Sequence, residues 1–322
     1  MSMDISVIIA VSKPKQFLKC LDGFANQKTD FAFEIIGVGA VFEMDSTNWP
    51  FPLKLIPCDT LHANVRRNIG VKHSVSARIG LMDDDCIPDE NWINEACSHS
   101  HEKSIVVSGM ELPLADSGSF SALSYKVLST PITELSINHT LAKEQEIKWH
   151  EVVFCNCVLS KSAWENSGGF SESIPWDMDD FHFCYGLKER FIFLNSPRLK
   201  VQHNRYPTSF NKLIAYKWNL RVRTGEKIVT HPGIYLRVPA VVAAFLFPWL
   251  AFMISGFLLL VCPVVLLTIL LVYMGLISFT SFRNYPAVLK SAAILLSVQI
   301  ITIVAIQYGF CRALFGFTNR GY

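Results

Sequence analysis

No aspartate or glutamate follows Glu226, although Arg237, Arg283, Lys290, Arg312 and Arg320 do. The chain beyond residue 233 therefore carries a formal +5, and the first 233 residues carry −3, with 24 basic against 27 acidic side chains. The overall +2 is an imbalance between two halves rather than a basic surface, and no basic, aromatic-interleaved patch is present, which removes nucleic acid as a partner. A Cys-x-x-Cys pair is also lacking. The nine cysteines are scattered, and Cys155 and Cys157 share one face of a strand, so neither a zinc knuckle nor a disulfide framework fits. Reduced thiols are expected. The N-terminus offers no signal peptide, because Asp4 precedes an apolar run of only about seven residues without a cleavage pattern. The first domain is therefore expected in the cytoplasm. Repeats and low-complexity tracts are absent too.

What is abundant is apolar: 51% of residues are hydrophobic and the mean hydropathy is +0.31. The excess is concentrated near the C-terminus. The run over residues 238–282 is more than twice the roughly 20 residues that span a bilayer, so it reads as two helices, and residues 291–310 are a third candidate. A transmembrane region of two to three helices over 234–322 is the expectation, in a multi-pass protein of the cell inner membrane. Before it, residues 209–223 place Phe210, Leu213, Ile214 and Trp218 on one helical face and Lys212, Lys217, Arg221 and Arg223 mostly elsewhere. Residues 206–233 thus read as a linker that either lies on an anionic membrane surface or packs as an ordinary helix.

The first 205 residues read differently. Continuous apolar runs at 5–11, 33–38, 53–56 and 78–82 alternate with helical spacing after Pro14 and over 63–73, which implies an α/β domain on a mostly parallel sheet. Ligands of such sheets sit beyond the carboxyl ends of the strands, where Ser12 and Asp83 to Asp85 fall. Residues 110–149 show no sustained periodicity and read as a long acceptor-facing region.

The segment Ile79-Gly-Leu-Met-Asp-Asp-Asp-Cys-Ile-Pro88 runs a buried strand into three carboxylates. Crowded carboxylates repel one another, so the triplet suits a divalent cation with a phosphate; a solvated acidic turn is the alternative. With Ser6-Val-Ile-Ile, Arg67-Asn-Ile-Gly70, Asn156, Gly168-Gly-Phe170, Asp179-Asp180 and Val201-Gln-His203, it resembles glycosyltransferase family 2, the inverting GT-A class, in an ordered set of motifs.

The resemblance implies a GT-A, Rossmann-like domain over 1–205 and transfer of a sugar from a nucleotide donor, by family habit a UDP-sugar, to an acceptor hydroxyl; the expected spans suggest a membrane-associated acceptor, lipid-linked or another saccharide. It implies Mg²⁺ or Mn²⁺ held by Asp85, with Asp83 facing the nucleoside and Asp84 between them. Ser12, Arg67 and Asn68 join these on the donor side. Asp179 and Asp180 would open the helix beside the acceptor, with Asp180 as general base; a simple N-cap is the alternative. His203 is either a second metal ligand or a structural histidine. The chain departs from the family at Gly37-Val-Gly-Ala40, where acidic residues usually read the base, which leaves the nucleobase open. Two other readings stand beside this one: a polyprenyl-phosphate sugar synthase, whose phosphate acceptor needs no general base, and a non-catalytic binding domain.

Overall fold

The computed structural model describes residues 2–41, 45–99, 104–128, 143–173, 179–235, 237, 242, 246 and 285–314. The chain divides into two compact units, Met1–Ala115 with Ser136–Arg205 and Asp116–Leu135 with Tyr206–Tyr322.

The first unit is built on one sheet. Strands β1 (Ile5–Val11), β2 (Phe33–Gly39), β3 (Leu53–Pro57), β4 (Arg78–Asp83), β5 (Cys86–Pro88), β6 (Ile105–Pro113), β7 (Gln145–Glu146), β8 (Asn156–Ser160) and β9 (Ile192–His203) lie in the order β3-β2-β1-β4-β8-β6-β9-β5, with β7 also on β9. Alternation along β1 explains the layers. Ile5, Val7, Ile9 and Val11 face one core with Phe17, Leu21 and Phe24 of α1 (Pro14–Ala25), while Ile8 faces a second with Val71 of α2 (Ala63–His73). Pro14 suits the first turn of α1, where its missing N–H is no loss.

The sheet is mixed, not mostly parallel. β1–β2, β1–β4, β2–β3 and β6–β9 are parallel, whereas β4–β8, β6–β8, β5–β9 and β7–β9 are antiparallel. β8 enters between β4 and β6 and runs against both, which only the tertiary path could fix. β9 passes through Pro197 as one bulged strand: its register on β6 jumps from Ser196 opposite Gly109 to Lys200 opposite Met110. Among the described residues this unit also contains α3 (Trp92–Ser98), α5 (Lys161–Asn166), α6 (Asp179–Leu187) and a short 3-10 turn (Trp149–Glu151).

The second unit contains α4 (Ser119–Leu128), α7 (Phe210–Thr230), α8 (Pro232–Tyr235) and α9 (Tyr285–Leu314). Leu128, Tyr206, Leu213, Ile294 and Val298 form its apolar centre. α4 lies inside the stretch read above as lacking periodicity.

Two expectations are overturned here. Among the described residues no helix is long and apolar enough to cross a membrane. The transmembrane helices over 234–322, and with them a multi-pass inner-membrane protein with its catalytic domain held in the cytoplasm, are not supported. The third candidate, residues 291–310, lies in α9, whose Ile294, Val298, Ala305 and Ile306 are buried at helical spacing, with Gln299, Thr302 and Gln307 interleaved. The buried residues of that helix serve packing within the unit, while Ile300, Val304 and Tyr308 on another side are exposed. The run 238–282 lies outside the described residues apart from Val242 and Leu246. In α7, Lys217 and Arg221 are buried, so its basic side chains do not form one solvated face for a membrane surface.

Candidate active site

The acidic triplet starts at the last residue of β4 and turns into β5, and its three carboxylates have three different tasks. Oδ2 of Asp84 accepts the Ser12 N–H at 2.6 Å, the Ser12 hydroxyl at 2.9 Å and the Lys13 N–H at 2.6 Å. Burial raises its pKa from the usual aspartate value, and these three donors work against that rise. The consequence concerns phosphate. The N-terminus of α1 would be an anion site, but its entering N–H groups are already spent on Asp84, so a diphosphate here needs another source of positive charge.

Asp85 is where a cation could be held. β5 runs antiparallel to β9 with Cys86 opposite His203, and the Asn204 N–H donates to the Asp85 carbonyl at 3.1 Å. Asp85 Oδ1 lies 3.0 Å from His203 Nε2, and Lys13 Nζ lies 3.2 Å from Asp85 Oδ2. Burial pushes the Asp85 carboxyl up, but hydrogen bonding and charge from His203 and Lys13 bring it below the ordinary value. Burial likewise disfavours the charged imidazole of His203, yet its hydrogen bonds with Asp85, Cys155 and Glu111 hold its pKa well above the usual one.

The residues fit a divalent cation. Adjacent ligands of an octahedral ion at about 2.1 Å stand about 3 Å apart, which is the separation of Asp85 Oδ1 and His203 Nε2. Asp85, Cys86 and His203 form one possible ligand group, and Glu111, Cys155 and His203 another. Burial pushes the Cys86 thiol up to about 12 and Cys155 well above its normal value, so both are protonated in the absence of a metal and ill-suited to a hard one. The oxygen and nitrogen donors that remain suit Mg²⁺ or Mn²⁺.

The third carboxylate, Asp83, meets Arg67. This buried arginine donates from Nη2 to Asp83 Oδ1 at 3.1 Å and from Nη1 to Asp179 Oδ2, while Asn64 Oδ1 accepts from Nη1 at 3.2 Å. Its guanidinium carbon also lies 5.7 Å from the Phe154 ring centre. Burial opposes the charge on Arg67, but Asp179 and Asp83 hold its pKa above the usual value. Burial raises the Asp179 carboxyl against the pull of Arg67. Asp180 follows at the start of α6, half-buried, with Oδ1 accepting the Phe181 N–H at 2.8 Å.

Asn68 is turned toward the loop that follows α5. Its Nδ2 donates to the Phe170 carbonyl and to Glu172, each at 2.8 Å, and its Oδ1 accepts from the Phe170 N–H and Trp164 Nε1, each at 2.9 Å. Gly168 and Gly169 make the turn before that loop at φ 78° and 84°, the left-handed region open to glycine.

One residue escaped the sequence reading. Glu111, fully buried on β6, accepts from His203 Nδ1 at 2.7 Å and from Arg205 Nη1 at 3.0 Å. The available signal was a carboxylate closing the apolar run Ile105-Val-Val-Ser-Gly-Met, in a stretch read as irregular. A further grouping, Glu95, His99 and Glu144, is engaged elsewhere: Arg198 lies 3.1 Å from Glu95, and the Ser196 hydroxyl donates to it at 2.6 Å.

No family model matches the sequence, and no curated protein matches it. Solved structures do. The mannosyltransferase PcManGT from Pyrobaculum calidifontis, in complex with GDP-Man and Mn²⁺, is similar at a TM-score of 0.58 and 13% identity, covering 99% of this chain and 89% of that one. The fold is similar to that of this mannosyltransferase. Residues 1–349 of TarS from S. aureus align at a TM-score of 0.47 and 13% identity, covering 99% of this chain and 93% of that one. At such identity the likeness speaks to the fold alone, and it is the mannosyltransferase that carries it.

Proposed function

We propose that this protein is a metal-dependent glycosyltransferase of the inverting, family 2 kind, which moves a sugar from a nucleoside-diphosphate donor to an acceptor hydroxyl. The observation that carries the reading is the Arg67 bridge: one buried guanidinium joins Asp83, beside the Asp85–His203 pair, to Asp179, beside Asp180. Donor and acceptor carboxylates are thus held in one frame. The mannosyltransferase of like fold holds GDP-Man and Mn²⁺, which supports a nucleotide-sugar and a divalent cation here.

Asp85 and His203 would hold Mg²⁺ or Mn²⁺, and such an ion neutralises charge on the departing diphosphate. Lys13 adds a second positive charge on the same side. Asp83 faces the nucleoside, Asp84 fixes Ser12 and Lys13 at the mouth of β1, and Asn68 fixes the loop at 168–172. Asp180 takes the proton from the acceptor hydroxyl as its oxygen forms the bond to the anomeric carbon. The bond to the diphosphate breaks on the opposite face, and configuration inverts. The transmembrane helices that suggested a lipid-linked acceptor are not supported among the described residues, and a saccharide hydroxyl is the acceptor proposed.

A panel of UDP- and GDP-sugars, each with and without Mn²⁺, tests this by thermal denaturation, followed by donor hydrolysis. At least one donor should stabilise the protein only with metal and be hydrolysed by it, and Asp85→Ala should abolish both. Metal-independent stabilisation by every donor, or full activity of Asp85→Ala, overturns the reading.

A further inference from the structure

We propose that Glu111 is a positioning residue for the metal centre, one that fixes the ring orientation and tautomer of His203. The proposal rests on the reading of Asp85 and His203 as a cation site. It starts from the strands.

Gly109 and Leu199 mark the bulge between β6 and β9. A Cβ at Gly109 would collide with the Leu199 carbonyl and with Asn156. The Asn156 side chain fastens the bulge, donating to the Leu199 carbonyl at 2.8 Å and the Met110 carbonyl at 3.1 Å while accepting Trp92 Nε1 at 2.8 Å. Beyond it the register places Glu111 opposite Val201 and Pro113 opposite His203. With the two-residue period of a strand, Glu111, Val201 and His203 share a face, so a glutamate at 111 reaches diagonally to the imidazole two residues further along β9.

The resulting contacts are directional. Glu111 Oε2 lies 2.7 Å from His203 Nδ1, while His203 Nε2 points to Asp85 Oδ1 at 3.0 Å. A carboxylate accepts only, so without a metal both ring nitrogens carry hydrogen, Nδ1 toward Glu111 and Nε2 toward Asp85; a cation held at Asp85 would replace the Nε2 proton, while Glu111 keeps the hydrogen on Nδ1. Arg205, two residues past His203, donates to both Glu111 oxygens, at 3.3 and 3.0 Å, and holds the carboxylate from its other side. Pairing with Arg205 alone would explain a glutamate somewhere near the end of β9. It does not explain why the closer of these contacts is to Nδ1. A carboxylate behind a metal-bound histidine fixes the ring and raises its basicity, and losing it weakens metal binding about 10- to 100-fold.

The test measures Mn²⁺ affinity directly, by titration calorimetry on the full chain without donor. Glu111→Gln keeps the shape but can turn its amide N–H₂ toward Nδ1 and favour the other tautomer. It should bind Mn²⁺ about tenfold or more weakly than wild type. In the His203→Ala background, the same substitution should produce no further loss, because a positioning residue acts only through what it positions. Glu111→Asp, one methylene shorter, carries the same comparison should the glutamine chain fail to fold. Affinity within twofold of wild type, or an equal further loss without His203, overturns the role of Glu111 and leaves the cation site standing. Absence of Mn²⁺ binding by wild type overturns both.

Discussion

Arg67 and Asp179 form a buried ion pair, and the same guanidinium donates to Asp83 at 3.1 Å. Two carboxylates of different origin, one ending a strand and one opening a helix, are therefore bridged by one cation. Arg67→Met leaves Asp179 with no charge partner in an environment that already raises its pKa. The expected cost is about 3 to 5 kcal/mol in denaturant unfolding, the range for a broken buried pair. Arg67→Met with Asp179→Asn should recover part of that loss, because the stranded charge is removed. A single-variant cost below about 1 kcal/mol, the value typical of an exposed pair, would show that the bridge is not formed.

Asp179 and Asp180 are adjacent but differ in what they can do. Asp179 is committed to Arg67, whereas Asp180 stands half-buried at the first turn of α6. Asp180→Asn should lower transfer to a hydroxyl acceptor by about 10²- to 10⁴-fold while donor KM changes little, as loss of general-base catalysis requires. Asp179→Asn should act differently, lowering stability as well as rate. Steady-state kinetics separate the two, and a phosphate acceptor would reveal itself by near-full activity of Asp180→Asn.

The local signals that the sequence carried well were apolar runs and their ends. β1, β4, α1 and α2 follow from continuous burial or helical spacing, and Asp83 had to lie where β4 stops. Strand direction was not local information: β8 reads as a strand whichever way it runs, and its antiparallel insertion beside β4 depends on the path of the chain. Pro197 is of the residue type that ends most ladders, yet Asn156 and Gly109 carry β9 past it as a bulge. Glu111 was missed for a related reason. Its partner is 92 residues away, and only the bulge brings His203 into its reach. Over residues 291–310 hydropathy alone misled, because it cannot tell an apolar helix that packs partly against a neighbouring helix from one that crosses lipid.

α7 and α9 approach each other through glycine on both sides. A Cβ at Gly225 would collide with the Ile306 carbonyl and one at Gly309 with the Val222 carbonyl, both backbone atoms that cannot swing away. Gly309→Ala should therefore destabilise the protein by about 1 to 3 kcal/mol or more, as overpacking does, despite the better helix propensity of alanine. Thermal denaturation checks the sign. An increase in Tm would mean that propensity outweighs contact and that the helices are not so closely apposed.

Burial sets the order in which the described cysteines should react. Cys20, Cys86, Cys97, Cys155, Cys157 and Cys184 are buried free thiols, Cys58 is half-buried and Cys311 is exposed. Burial pushes Cys86 up to about 12 and Cys97 to about 11, so almost no thiolate, the reactive form, is present at pH 8. Iodoacetamide added to the native protein at that pH should modify Cys311 first and Cys58 next, with Cys86 and Cys155 protected until denaturant is added. Peptide mass spectrometry over a time course reads the order. Protection of Cys86 and Cys155 bears directly on the cation site, because they lie beside Asp85 and His203. Early alkylation of either would mean that the floor of that site is open to solvent and its thiols are available as ligands, which would shift the expected metal from Mg²⁺ or Mn²⁺ toward a softer ion.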